Sequence, residues 1–200
     1  MGAMPPPPAP TPPPRPAPPR AGGDTRGEVA LAPLLWLALA LSMGAAVSLG
    51  VTRFAYGLLL PVMREDLGWS YTLAGAMNTA NALGYLLGAL VTPRLIRRWG
   101  ASHVLLAGAV LASAFMAASG FFTAPWPLMA QRTLAGAASA LVFVAGGLMA
   151  ARLGARAPQH AGLLLGLYYG GTGWGIVASA LGVPWLLGVG AAGAHAWAWA

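Results

Sequence analysis

Two guanidinium groups stand where charge is costly. Arg53 and Arg132 each fall inside a long apolar run. On insertion scales such a group costs about 2.5–3.5 kcal/mol at the centre of a membrane helix, so it must face protein or water. No aspartate or glutamate follows Asp66, so neither arginine has an intramembrane carboxylate within this sequence. Two readings stay open. Either they line a cavity and meet an anionic solute or tune a proton relay, or they snorkel and bind helix-end carbonyls to hold a bundle together.

Other polar groups share these runs. Asn78, Asn81 and Tyr85 are spaced i, i+3 and i+7, which places them on one helix face, and Gly88 extends the stripe. Such asparagines bind a solute or bond to a neighbouring helix. Tyr168 and Tyr169 precede a stretch dense in glycine. Gly166–Gly170, Gly171–Gly175 and Gly84–Gly88 all have the small-xxx-small spacing that lets helices approach closely.

Chemistry of other kinds finds little support. There is no cysteine, which excludes disulfides and thiol nucleophiles. His103, His160 and His195 lie near three different helix boundaries without metal-ligand spacing. The serines Ser42, Ser48, Ser113, Ser119, Ser139 and Ser179 have no visible base. No lysine exists to complete a phosphate-binding loop. The expectation is therefore a chain that is not an enzyme and takes no cofactor or metal.

The elements that must position these groups follow from composition. Of 200 residues, 58% are hydrophobic and 8% charged, against about 25% charged in soluble domains. A surface so poor in charge is tolerated by lipid. Five apolar runs reach the roughly 20 residues that span a bilayer. They lie near 33–60, 71–92, 102–122, 127–149 and 161–184, and a sixth begins near 197. The runs are continuous rather than alternating, which predicts helices and not a barrel. Pro33 and Pro127 suit helix starts, and Pro61, Pro93 and Pro184 are expected near helix ends. Trp36, Trp69, Trp99, Trp126, Trp185 and Trp197 fall near predicted boundaries, as an aromatic belt would.

Residues 1–29 differ from the rest. Eleven of the 18 prolines lie between Pro5 and Pro19, which predicts a disordered or polyproline-like tail. A passive tail is the preferred reading over a docking segment for a proline-binding partner.

The net charge is +7. The arginines do not cluster on one polar domain, so nucleic acid is not the expected partner. If the helices alternate, Arg15, Arg20, Arg26, Arg94, Arg97, Arg98, Arg152 and Arg156 share one side. The other side holds Arg64, offset by Glu65 and Asp66. The positive-inside rule then places the amino terminus in the cytoplasm.

These residues resemble the major facilitator superfamily. GVTRFAYGLLLPVM at 50–63, DLGWS at 66–70 and AGAMNTANALGYLLGAL at 74–90 are similar to a bacterial branch of YbfB/YjiJ type. The combination of Arg53, Phe54, Tyr56 and Pro61 with the following motifs carries the likeness, which covers roughly residues 34–200. In the superfamily a gating loop joins helices 2 and 3. Here PRLIRRWGASH at 93–103 keeps Arg98 and Gly100, beside Arg94, but has Pro93 and Arg97 in place of the usual glycine and aspartate. Helix 4 of the family carries an arginine followed four residues later by glycine, which Arg132 and Gly136 match. The helix 5 antiporter motif is absent in recognisable form.

The resemblance implies the amino-terminal six-helix bundle of an all-α membrane fold, with five complete helices and the start of a sixth. It implies a solute transporter of the bacterial inner membrane, working by alternating access and driven by an ion gradient. Its expected partners are the bilayer, a small organic solute with anions as the candidate class, and a missing carboxy-terminal half. A non-transporting fragment is the alternative. The cavity candidates are Arg53, Tyr56, Asn78, Asn81, Tyr85, Arg132, Tyr168 and Tyr169. The packing candidates are Gly84, Gly88, Gly136, Gly166, Gly170, Gly171 and Gly175.

Overall fold

The computed structural model describes residues 31–190, with Gly2 and Trp197 besides. Apart from those two residues, the proline-rich tail and the start of a sixth helix lie outside the described residues.

Among the described residues the chain is helical, in five long helices. The first, α1, runs Leu31–Asp66. Its middle, Ala46–Ala55, is a π-helix between two α-helical segments, Leu31–Ala45 and Tyr56–Asp66. Next come α2 (Tyr71–Trp99), α3 (Ala101–Ser119), α4 (Pro125–Arg156) and α5 (Ala161–Gly190). Three helical stretches, Leu31–Asp66, Ala101–Phe121 and Pro125–Arg156, are long and apolar enough to cross a membrane.

Local chemistry sets the ends. Ser70 caps α2, its side chain accepting from the Leu73 N–H at 3.2 Å. Gly68 before it has φ 64°, and Gly100 after it has φ 84°. Both are conformations that glycine adopts without a Cβ clash. Pro125 opens α4, where its missing N–H leaves nothing unsatisfied.

Several boundaries differ from expectation. Pro61, Pro93 and Pro184 sit inside α1, α2 and α5 rather than at their ends. Packed neighbours and local adjustment absorb a proline in such helices. As a result α2 continues through Arg94, Arg97 and Arg98. The predicted gating loop shrinks to Gly100, and its arginines ride the last turns of a helix.

Glycine contacts fix the directions of the helices. An added Cβ on Gly171 would meet Ser42 O at 2.1 Å, and one on Gly175 would meet Ala46 O at 2.2 Å. Rising numbers face rising numbers, so α1 and α5 run parallel. The same holds for α2 and α4: Gly84 would meet Thr133 O at 1.9 Å, and Gly88 would meet Ala137 O at 2.6 Å. In α3 and α4 the order reverses. Gly108 lies against Ala138, Leu141 and Val142, while Phe115 and Ser119 meet Gln131. The bundle is two parallel pairs pressed together at glycine, with α3 antiparallel on α4.

This arrangement sorts the charges. Arg94, Arg97, Arg98, Arg152 and Arg156 gather at the end where α1 begins. Arg152 and Arg156 share a small hollow there with Leu37 and Leu41. The opposite end holds Arg64, which lies 3.5 Å from Glu65 and stacks 4.2 Å from the Tyr71 ring centre. There the Trp197 indole N–H donates to Asp66 Oδ2 at 2.6 Å. Trp197 also packs with Tyr56, Met63, Trp69, Met77 and Leu128 in one buried cluster.

Candidate functional site

Arg132 is fully buried, at 0% exposure. Its guanidinium lies 3.6 Å from the centre of the Tyr56 ring. Its Nη2 donates to the Thr52 carbonyl at 3.2 Å, and its Nη1 lies 3.8 Å from Met116 Sδ. A cation over an aromatic face is worth about 2 kcal/mol or more once desolvated. A carbonyl contact adds to that, since hydrogen bonds to charged groups are the stronger ones. These contacts tie α4 to the π-helical part of α1 and to the first residue beyond it. Among the described residues, Arg132 Nε and the Tyr56 hydroxyl have no hydrogen-bond partner.

Neighbouring groups extend the knot. Asn81 Nδ2 donates to the Arg132 carbonyl at 3.0 Å, which joins α2 to α4. Thr52 Oγ1 lies 3.3 Å from Ser139 Oγ and also donates to the Ser48 carbonyl. Gly136 lets α2 and α4 touch here, since a Cβ on it would stand 2.1 Å from Asn81 O. Asn81 is thus an interhelical bonding group, whereas Asn78, one turn earlier, is exposed.

Arg53 is placed differently. It is exposed and borders an open cleft of about 350 Å³ with Phe54, Gly57, Leu58 and Asn78. Its guanidinium carbon is 5.9 Å from the Tyr85 ring centre, near the outer limit of a cation–π contact. Among the described residues no carboxylate pairs with Arg53. The cleft offers a cation, an amide and an apolar wall, the elements that hold a small anion with an apolar body.

The tyrosine pair splits in the same way. Tyr168 is buried and its hydroxyl donates to the Phe143 carbonyl at 2.7 Å. Tyr169 is 50% exposed and stacks edge-on against Tyr168, with ring centres 5.0 Å apart. Phe143 completes the aromatic cluster, 5.9 Å and 5.7 Å from the two rings.

The predicted residues therefore fall into three groups. Arg53, Asn78, Tyr85 and Tyr169 lie on open or half-open faces. Arg132, Asn81, Tyr56 and Tyr168 lie inside the bundle. Arg94, Arg97, Arg98 and Gly100 sit at one end of it. Among the packing glycines, Gly84, Gly88, Gly136, Gly171 and Gly175 press on a neighbouring backbone. Gly166 and Gly170 are exposed, and among the described residues nothing stands where a Cβ would be, because they face away from α1.

Sequence reasoning missed Thr52, Met116, Ser139 and Gly50. Gly50 lies against Gly175, a Cβ on it coming within 2.5 Å of the Gly175 Cα. Ser139 stands seven residues after Arg132, on the same helix face, and that spacing was the available signal. The Thr52 contribution is a carbonyl, which no residue type announces.

The family described as "Uncharacterised MFS-type transporter YbfB" matches residues 45–200 of the chain. No curated protein and no solved structure matches it.

Proposed function

The chain belongs to the family of YbfB-type MFS transporters, and from that premise we propose that it moves a small organic anion across the membrane by alternating access. Membership supports reading it as a membrane transporter rather than an enzyme. The observation that supports the solute class is Arg53: its guanidinium borders an open cleft on α1 and α2 with no carboxylate beside it among the described residues. A charge at membrane depth marks a solute path by default. Phe54 and Leu58 supply an apolar wall, and Asn78 supplies an amide to orient the bound group.

In this reading all five helices span the bacterial inner membrane, and a sixth follows. The arginine-rich end of the bundle faces the cytoplasm, as does the amino terminus. A second, carboxy-terminal bundle covers the Arg53 face, and the solute binds between the two. Rocking of one bundle against the other then exposes the cleft to each side in turn. The driving force is an ion gradient.

The test is ligand-induced stabilisation of the detergent-solubilised protein by benzoate, lactate and succinate. At least one should raise the melting midpoint, and Arg53→Ala should abolish the rise. A rise of equal size in Arg53→Ala would remove Arg53 from the solute site.

A further inference from the structure

A π-helix is rare and occurs mostly as a single turn, frequently at functional sites. The stretch in α1 covers ten residues, Ala46–Ala55. Its i→i+5 bonds close a wider ring than the i→i+4 bonds of an α-helix. Each residue therefore turns less about the axis. The number of residues held in π form sets how the two ends of α1 are rotated against each other.

Both ends carry faces that matter. Before the stretch, Leu34, Ala38, Leu41 and Ala45 face the core with Ala150, Leu153, Leu164 and Tyr168. Near its end and just beyond it, Arg53, Phe54, Gly57 and Leu58 border the open cleft. If the stretch relaxed to α-helix with the core face kept in place, Arg53 and Phe54 would swing around the axis and leave the cleft.

Within α1, Thr52 Oγ1 donates to the Ser48 carbonyl, and further contacts reach the stretch from other helices. Arg132 provides one of them. It reaches the carbonyl of Thr52, inside the stretch, and the ring of Tyr56, the first residue of the regular helix after it. One rigid guanidinium thus spans the junction directly beside Arg53. The planar group with several fixed donors suits this two-point grip better than an ammonium. Gly50 against Gly175, and Ser179 Oγ donating to the Gly50 carbonyl at 3.5 Å, brace the stretch from α5.

We propose that Arg132 is a positioning residue: by clamping Thr52 and Tyr56 it holds the π register of α1 and so keeps Arg53 in the cleft. The inference builds on the reading of that cleft as the solute site, but its test needs no solute.

The chain has no cysteine, so single cysteines report accessibility cleanly. Phe54 is exposed and borders the cleft, whereas its neighbour Ala55 is buried. In the full protein, Phe54→Cys should react quickly with a water-soluble thiol reagent, and Ala55→Cys slowly. The ratio of the two rates reads the register. It should fall in the order Arg132, Arg132→Lys, Arg132→Met. For Arg132→Met the drop should be about tenfold, the population change that a loss of about 1.4 kcal/mol from one register produces. Arg132→Lys keeps the charge and places its donors on a single nitrogen, so it provides the reading if the Met variant is not recovered monodisperse.

A merely structural role for Arg132 would lower yield and melting midpoint while leaving the ratio fixed. An unchanged ratio in whichever variants are monodisperse overturns the proposal. A shifted ratio in a protein that binds none of the tested anions upholds the positioning role and removes the solute reading instead.

Discussion

Asn81 donates its side-chain amide to the backbone carbonyl of Arg132, 3.0 Å away across the α2–α4 contact. The same arginine sends its side chain the other way, to Thr52 and Tyr56 of α1. With Met116 of α3 also in reach, one residue therefore joins four helices, and none of its contacts uses a carboxylate. The buried charge is met by a carbonyl dipole, a sulfur and an aromatic face. Arg53, at the same level of the bundle, has a cleft in front of it instead.

Removing the clamp should cost stability. In Arg132→Ala the cation–π contact, worth about 2 kcal/mol, and a charge-assisted hydrogen bond of about 1.5–3 kcal/mol are lost together. The partners share one side chain, so the sum is an upper bound. We expect a melting midpoint in detergent clearly below that of Arg132→Lys, which in turn lies below the natural protein. Equal midpoints for the Ala variant and the natural protein would show that these contacts contribute nothing.

The Asn81 bond is a smaller effect. Interhelical hydrogen bonds in membrane proteins average about 0.6 kcal/mol and reach about 1.7. Asn81→Leu should therefore lower the midpoint modestly. Asn78→Leu, on an exposed face with no such bond, should leave it unchanged. Thermal melts of the two variants side by side check the contrast.

Glycine substitutions should divide into two classes. A Cβ on Gly84 would stand 1.9 Å from Thr133 O, and one on Gly171 would stand 2.1 Å from Ser42 O. Alanine at either site forces two backbones apart, and overpacking costs about 1–3 kcal/mol. At Gly166 and Gly170 nothing lies within 4 Å. Alanine there should be neutral or stabilising by up to about 1 kcal/mol through helix propensity. A melting series of the four alanine variants measures this directly.

Orientation is testable with the same absence of cysteine. Glu65→Cys lies at the end with few arginines, and Gln159→Cys lies at the arginine-rich end. In intact cells an impermeant maleimide should label the first and not the second. Permeabilisation should make the second reactive. The reverse pattern would invert the topology.

Much of the framework was legible in the sequence. The all-helical class followed from continuous apolar runs, and the separation of Arg64 from Arg94, Arg97, Arg98, Arg152 and Arg156 followed from alternation. Gly84, Gly88, Gly171 and Gly175 were marked by spacing, and Gly136 by the family resemblance. The distinction between Arg53 and Arg132 was not. In an apolar helix both the lipid-facing and the core-facing sides are hydrophobic, so periodicity does not say which face looks inward. Gly166 and Gly171 show the same limit, since identical spacing serves an open face and a packed one. Pro93 misled because the rule that ends soluble helices at proline weakens where neighbours can satisfy the freed carbonyl. The π stretch was invisible because its braces from α4 and α5 are contacts distant in sequence, such as Arg132 on the Thr52 carbonyl.

The most direct test of the account is transport itself. The full protein, reconstituted in liposomes under an imposed ion gradient, should accumulate whichever of benzoate, lactate or succinate stabilises it most. Arg53→Ala should abolish that accumulation while the variant stays monodisperse and correctly oriented. Accumulation at the natural rate in Arg53→Ala would contradict the central claim that this guanidinium receives the solute.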